Sequence, residues 1–240
     1  MLGICTSMQT RLNNVLKASQ AITQNVTTNV VHVADVKWFN LLDYYTEKKI
    51  KCVIIGDAGT EERVEVIEVD AVANTLTLVD NVSATISTSD NPIIYRAPAY
   101  NIIRKFWIGD LSVVHDYPTV CIAPNSEDKE WMALNTTSSD FKIDLMIYYL
   151  DRSTSEDSTK DLLETTREVE ETLMADLHLK IRDRGDEWGR VYDSRVSGAN
   201  YGVTAKGSAF LKTAQISWFG KISRIEKLTA SQNRGETPFE

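Results

Sequence analysis

The chain has 240 residues, 42% of them hydrophobic and 25% charged, with a formal net charge of −8. These are ordinary values for a globular protein of one large or two small domains, long enough to bury a sizeable core without staples. The acidic balance disfavours a protein that grips nucleic acid, because that affinity comes mainly from Lys and Arg on phosphates.

Aliphatic runs such as Val53-Ile54-Ile55 are far shorter than a membrane helix requires. No basic start followed by an apolar run is seen, so no secretory signal is read and no membrane is expected. Cys5, Cys52 and Cys121 are widely spaced, odd in number and outside any CxxC. That pattern argues for a reducing compartment and against a disulfide framework. In such a setting the Asn-x-Ser/Thr triplets at Asn25, Asn81 and Asn135 are chance matches.

Along the chain, Leu12, Val15, Leu16, Ile22 and Val26 recur at helical spacing, which predicts an amphipathic helix over residues 8–26. Val30, Val31 and Val33 favour a strand. Residues 36–45 are aromatic-rich and fit either state. Strand-like runs follow at Lys51–Ile55, Arg63–Val69, Thr75–Val79 and Ile93–Tyr95, separated by turn signals such as Ala73-Asn74. Short strands at this spacing predict a small β-barrel or sandwich. The alternation around Val64 to Val69 is too weak to fix a buried face. Residues 36–98 are therefore read as an inserted β-rich module in a core formed by 1–35 and 99–240.

Arg104 to Leu150 reads as three or four strands, with Tyr117-Pro118 and Pro124-Asn125 as turns. Phe141, Ile143, Leu145, Ile147 and Tyr149 alternate with Lys142 and Asp144, as in a half-buried strand, and Val120 and Ile122 mark its neighbour. A second helix is predicted over about 158–180, capped by Ser158 with Asp161, with Leu162, Val169, Leu173 and Leu177 on one face. Glu164, Glu168 and Glu171 lie off that face and are read as solvated. Residues 182–202 read as a long loop or arm. Ala209–Gly220 reads as a strand presenting Phe210, Ala214, Ile216 and Trp218, followed by a short run and a polar tail from Thr229. The fold class expected is α+β: a mixed or antiparallel sheet flanked by an N-terminal and a central helix, with the inserted barrel-like module.

No catalytic constellation stands out. His32, His115 and His178 are isolated, and His115-Asp116 are strand neighbours that point to opposite faces. No Cys/His cluster has metal spacing. Gly56-Asp57-Ala58-Gly59-Thr60 lacks the Gly-Lys-Ser/Thr ending of a phosphate loop and reads as a hairpin turn. Arg184-Gly185-Asp186 matches an adhesion tripeptide but reads as chance in a charged loop. The aromatic residues, Trp38, Phe39, Tyr44, Tyr45, Phe106, Trp107, Trp131 and Trp218 among them, lack regular basic neighbours and read as core or interface packing. The chain is thus expected to be no enzyme and to hold no cofactor or metal.

Charge is uneven. Residues 151–187 hold twelve Asp/Glu against six Lys/Arg, while residues 203–228 hold five Lys/Arg against one Glu. Segments of opposite bias can meet within one molecule or head to tail between subunits.

The order of parts carries a family resemblance. A leading helix precedes Trp107-Ile108-Gly109-Asp110. Then come Tyr117-Pro118-x-Val120-x-Ile122-x-Pro124, a long alternating strand, an acidic helix, and Leu211-Lys212-Thr213-Ala214-Gln215-Ile216-Ser217-Trp218. Over about residues 1–30 and 100–228 this resembles the tail-terminator, or tail-completion, proteins of tailed bacteriophages, with residues 51–97 as an addition. The resemblance implies a virion subunit assembled in the host cytoplasm. It would form a hexameric ring with itself on the tail tube, stop tube growth and meet the neck or connector. A tail sheath is a further possible partner, and DNA would pass through the lumen without specific binding. Candidate subunit-interface residues are Glu164, Glu168 and Glu171 on the helix, Arg182, Arg184 and Arg190 in the arm, and Lys212 and Lys221 in the last strand. Rival readings are a neck, head–tail connector or sheath-capping subunit, or a cytoplasmic ligand-binding module.

Overall fold

A computed structural model of the chain describes residues 1–37, 39, 49–57, 59, 61–109, 116–133, 136–151, 156–175, 180–183, 186–206 and 209–225. It is an α+β fold with two helices and two sheets.

Helix α1 spans Leu2–Leu16 and buries Ile4, Cys5, Met8, Leu12, Val15 and Leu16 along one stripe. It starts and ends earlier than the apolar spacing predicts. Ile22 and Val26 continue the helical period, yet both belong to the second hydrophobic cluster. The β-branched Thr23, Thr27 and Thr28 around them favour extended backbone, and Ser19–Ala21 forms strand β1.

The smaller sheet contains β1, β2 (Val30–His32), β3 (Ile50–Ile55), β4 (Glu61–Asp70), β5 (Thr75–Leu78) and β6 (Ile93–Arg96), in the order β1-β6-β3-β4-β5-β2. It curls into a half-barrel, and the antiparallel bridge Ile22↔Val33 joins its two ends. Inside lie Val31, Cys52, Ile54, Val66, Leu76, Leu78 and Ile94. A bulge between Val66 and Glu68 explains the weak alternation of β4. Val64 and Val66 point inward, the register slips, and Ile67 is left exposed. β1 and β2, which precede residue 36, pair into this same sheet.

The larger sheet contains β7 (Lys105–Ile108), β8 (Thr119–Ala133), β9 (Thr136–Asp151), β10 (Lys180–Asp183), β11 (Asp186–Val196), β12 (Asn200–Lys206) and β13 (Ala209–Ile225). Its order is β10-β11-β13-β9-β8-β7, with β12 also paired to β13. The β7–β8 pair is parallel; the others are antiparallel. The odd-numbered residues Phe141 to Tyr149 of β9 are buried, as their alternation predicts. They share a core with Val120, Ile122, Ala214, Ile216, Trp218 and residues of both helices.

Pro124-Asn125 is no turn. It lies within β8 at a register shift between Pro124 and Ser126, where a missing N–H is tolerated. Tyr117-Pro118, a cis peptide, does precede β8. Much of the expected 182–202 loop is instead strand: β11 and β12 pair in succession along one edge of β13.

Helix α2 spans Glu156–Met174. Ser158 and Asp161 therefore lie inside it, and its N-terminus is earlier than the capping pattern implies. Leu162, Val169 and Leu173 enter the core. Leu177, His115, His178, Trp38, Tyr44, Tyr45, Arg184 and the tail from residue 226 lie outside the described residues.

Candidate functional site

Helix α2 connects the two sheets through its polar side. Glu168 is buried, and its Oε2 accepts from Arg96 Nη2 of β6 at 2.7 Å. Four residues earlier, Glu164 Oε2 accepts from Lys51 Nζ of β3 at 2.6 Å. One turn further toward the N-terminus, Asp161 accepts from Asn101 Nδ2 at 3.0 Å. Burial raises the Asp161 carboxyl, opposed by the Asn101 hydrogen bond. Of these acidic groups at helical spacing, Glu164 and Glu168 thus face the half-barrel and Asp161 faces the segment that follows β6. The expectation that Glu164 and Glu168 sit on a solvated face does not hold for them.

The chain between the sheets is tightly folded here. Ala99 and Tyr100 both have positive φ, 52° and 58°, a region that costs side-chain-bearing residues of order 1–3 kcal/mol each. Tyr100 Oη donates to Glu65 Oε1 at 3.1 Å, and the Lys51 ammonium lies 5.0 Å from its ring centroid. Burial, followed by Glu65, pushes the Tyr100 phenol up to about 12. Beside it is a cleft of about 250 Å³ lined by Arg63, Tyr100, Asn101, Arg104 and Tyr117, among others.

The remaining candidate residues are placed as follows. Glu171 pairs with Arg167 at 2.8 Å along the helix. Lys212 is buried; its Nζ donates to Ser158 Oγ and, at 3.0 Å, to Thr159 Oγ1 in the first turns of α2. Lys221 pairs with Asp140 at 3.4 Å across β13 and β9. Arg182 and Arg190 lie in the β10–β11 hairpin, opposite Glu187 and Lys180 respectively. The acidic helix and the basic strand do meet within one chain, where Lys212 reaches the hydroxyls of Ser158 and Thr159. The carboxylates of Glu164 and Glu168 go to Lys51 and Arg96, which the sequence reading did not single out. In the sequence Lys51 is visible only as the first residue of a strand-like run, and Arg96 only as the residue after one.

Two surface features complete the site. The sheet face opposite the helices carries Phe219, flanked by Arg195 at 5.2 Å and Lys142 at 5.9 Å. Phe219 and Arg195 border a hollow of about 260 Å³ that also includes Asp140, Asp193 and Lys221. The second feature is β12. Every residue from Asn200 to Ala205 is exposed, Tyr201 at 52% and Val203 at 64%. Six uncharged residues, none of them proline, precede Lys206 in this strand, whose pairing, among the described residues, is with β13 alone.

No family model matches the sequence, and no curated protein matches it.

Proposed function

We propose that this chain is a structural subunit of a phage tail. Six copies would ring the end of the tail tube, end its growth and join it to the neck. In this reading, the larger sheet flanked by the N-terminal and central helices is the ring-forming core. The half-barrel is an added module turned toward a neck or sheath partner. No chemistry is assigned to the chain and no cofactor is needed.

The observation that carries this reading is strand β12, exposed and uncharged from Asn200 to Ala205. Natural proteins blunt such edges with charge or proline, or cover them. A strand left open in this way is suited to a neighbouring subunit. The resemblance in the order of parts supplies the tail context. The acidic balance of the chain fits a ring through which DNA slides without being held.

The test is light scattering of the purified chain, alone and mixed with the tail-tube protein of the same virus. Six-fold assemblies support the reading. Monomers under both conditions sink it. Locating the subunit in a whole particle separates a tail terminator from a connector or sheath cap.

A further inference from the structure

We infer that β12 of one copy pairs, antiparallel, with β7 of the next, so that the larger sheet runs on from subunit to subunit. This rests on the ring reading and names the surface that closes the ring.

The argument starts from register. Tyr201 pairs with Ala214, Ala214 with Ile147, Ile147 with Val120, and Val120 with Phe106. The adjacent rows run from Gly202 to Lys105 and from Asn200 to Trp107 by the same steps. Among the described residues, β12 and β7 are therefore the two ends of one five-strand row at this level; on β7 the Phe106 carbonyl also accepts from Gln9 Nε2 of α1 at 2.8 Å.

Direction follows from the same pairings. Three antiparallel steps lead from β12 through β13 and β9 to β8, and β7 is parallel to β8. Hence β7 runs opposite to β12. A rotation about an axis near the strand direction preserves each strand's sense. It brings β12 of one copy beside β7 of the next as an antiparallel pair, the more stable kind. Two different edges in contact make a heterologous interface, the type that closes into rings.

The side chains agree. Both edges expose apolar surface, Tyr201 and Val203 on β12 and Trp107, 42% exposed, on β7. Lys105 lies over the Trp107 ring at 4.2 Å and is the one charged residue of β7. It meets no cation within Asn200–Ala205. Strand addition of this kind draws affinity from main-chain hydrogen bonds and selectivity from alternate side chains.

The experiment introduces cysteines by Val203→Cys and Lys105→Cys, singly and together, and treats the assembled protein with a short bis-maleimide. The native Cys5, Cys52 and Cys121 are buried and do not compete. The double variant is expected to give a ladder of covalent multimers reaching the ring size, and neither single variant should. Rings that form without laddering overturn the inference and leave the ring reading standing. Self-linking of the Val203→Cys variant alone also overturns it, because that requires β12 against β12. Absence of any ring from the wild-type chain with tube protein removes the ring reading itself.

A proline pair gives a second readout. Neighbouring residues of a strand direct their N–H groups to opposite sides. Of Val203→Pro and Thr204→Pro, one therefore deletes a hydrogen bond to β13 and the other an outward N–H. The variant that keeps the wild-type thermal midpoint is expected to lose ring formation at least tenfold. Full ring formation by that variant counts against the inference.

Discussion

Arg96 Nη2 lies 2.7 Å from Glu168 Oε2, with the arginine 1% and the glutamate 7% exposed, so a buried ion pair fastens the half-barrel to helix α2. Removing one member leaves the other charged and unpaired in the interior, which typically costs about 3–5 kcal/mol. Glu168→Ala is expected to lower stability by about that much in urea unfolding. The double change Arg96→Met with Glu168→Leu should recover most of the loss, since apolar groups carry no uncompensated charge. A loss well under 1 kcal/mol for Glu168→Ala would show that the pair does not hold the junction.

Lys51 and Glu164 provide the contrast. Their side chains are 29% and 34% exposed, so water screens the 2.6 Å contact. A double-mutant cycle with Lys51→Ala and Glu164→Gln is expected to give a coupling of about 0–1 kcal/mol. A coupling as large as that of the buried pair would mean that the junction excludes water more fully than these exposures imply.

Gly220 permits the placement of Trp218. A Cβ on Gly220 would lie 1.9 Å from the buried indole ring, far inside contact distance. Gly220→Ala must push the ring out of place, and overpacking of this kind costs about 1–3 kcal/mol. The variant is expected to lose that stability and to show altered tryptophan fluorescence. Unchanged fluorescence with unchanged stability would contradict the packing described.

Alkaline pH should weaken the fold. Burial raises the Cys5 thiol to about 11 and the Cys52 and Cys121 thiols to about 12, from an ordinary 9.0. Burial first, then Glu65, raises the Tyr100 phenol to about 12. The folded chain thus holds these protons more tightly than the unfolded chain. The stabilisation is complete below about pH 9 and is lost as pH rises from there toward 12. The urea midpoint is expected to be level near neutrality and to fall between about pH 9 and pH 11. A midpoint that climbs over that interval would contradict the burial of these groups. Native protein should also resist thiol reagents at pH 7, because the thiolate is the reactive form and the thiols are buried.

Much of the architecture is legible in the sequence because it is local. The alternation of Phe141 to Tyr149 fixes the core face of β9, and the run Lys51–Ile55 marks β3, which spans Ile50–Ile55. What fails is set by distant partners. Residues 19–21 continue a helical pattern yet pair with Ile93–Tyr95. Asp186–Val196 looks like a charged loop until β13 provides it an edge. Glu168 looks solvated because Arg96, its counter-charge, is 72 residues away. Periodicity records the water side and the core side of an element, and it does not record which polar group on the water side meets an opposite charge from another sheet.

The measurement that bears most directly on the proposed function is electron microscopy of the purified chain mixed with tail-tube protein of the same virus. The account predicts ring-shaped, six-fold particles seated on tube ends, with tube length no longer increasing once they are present. Tubes that keep growing with bare ends, beside a monomeric chain, would contradict it.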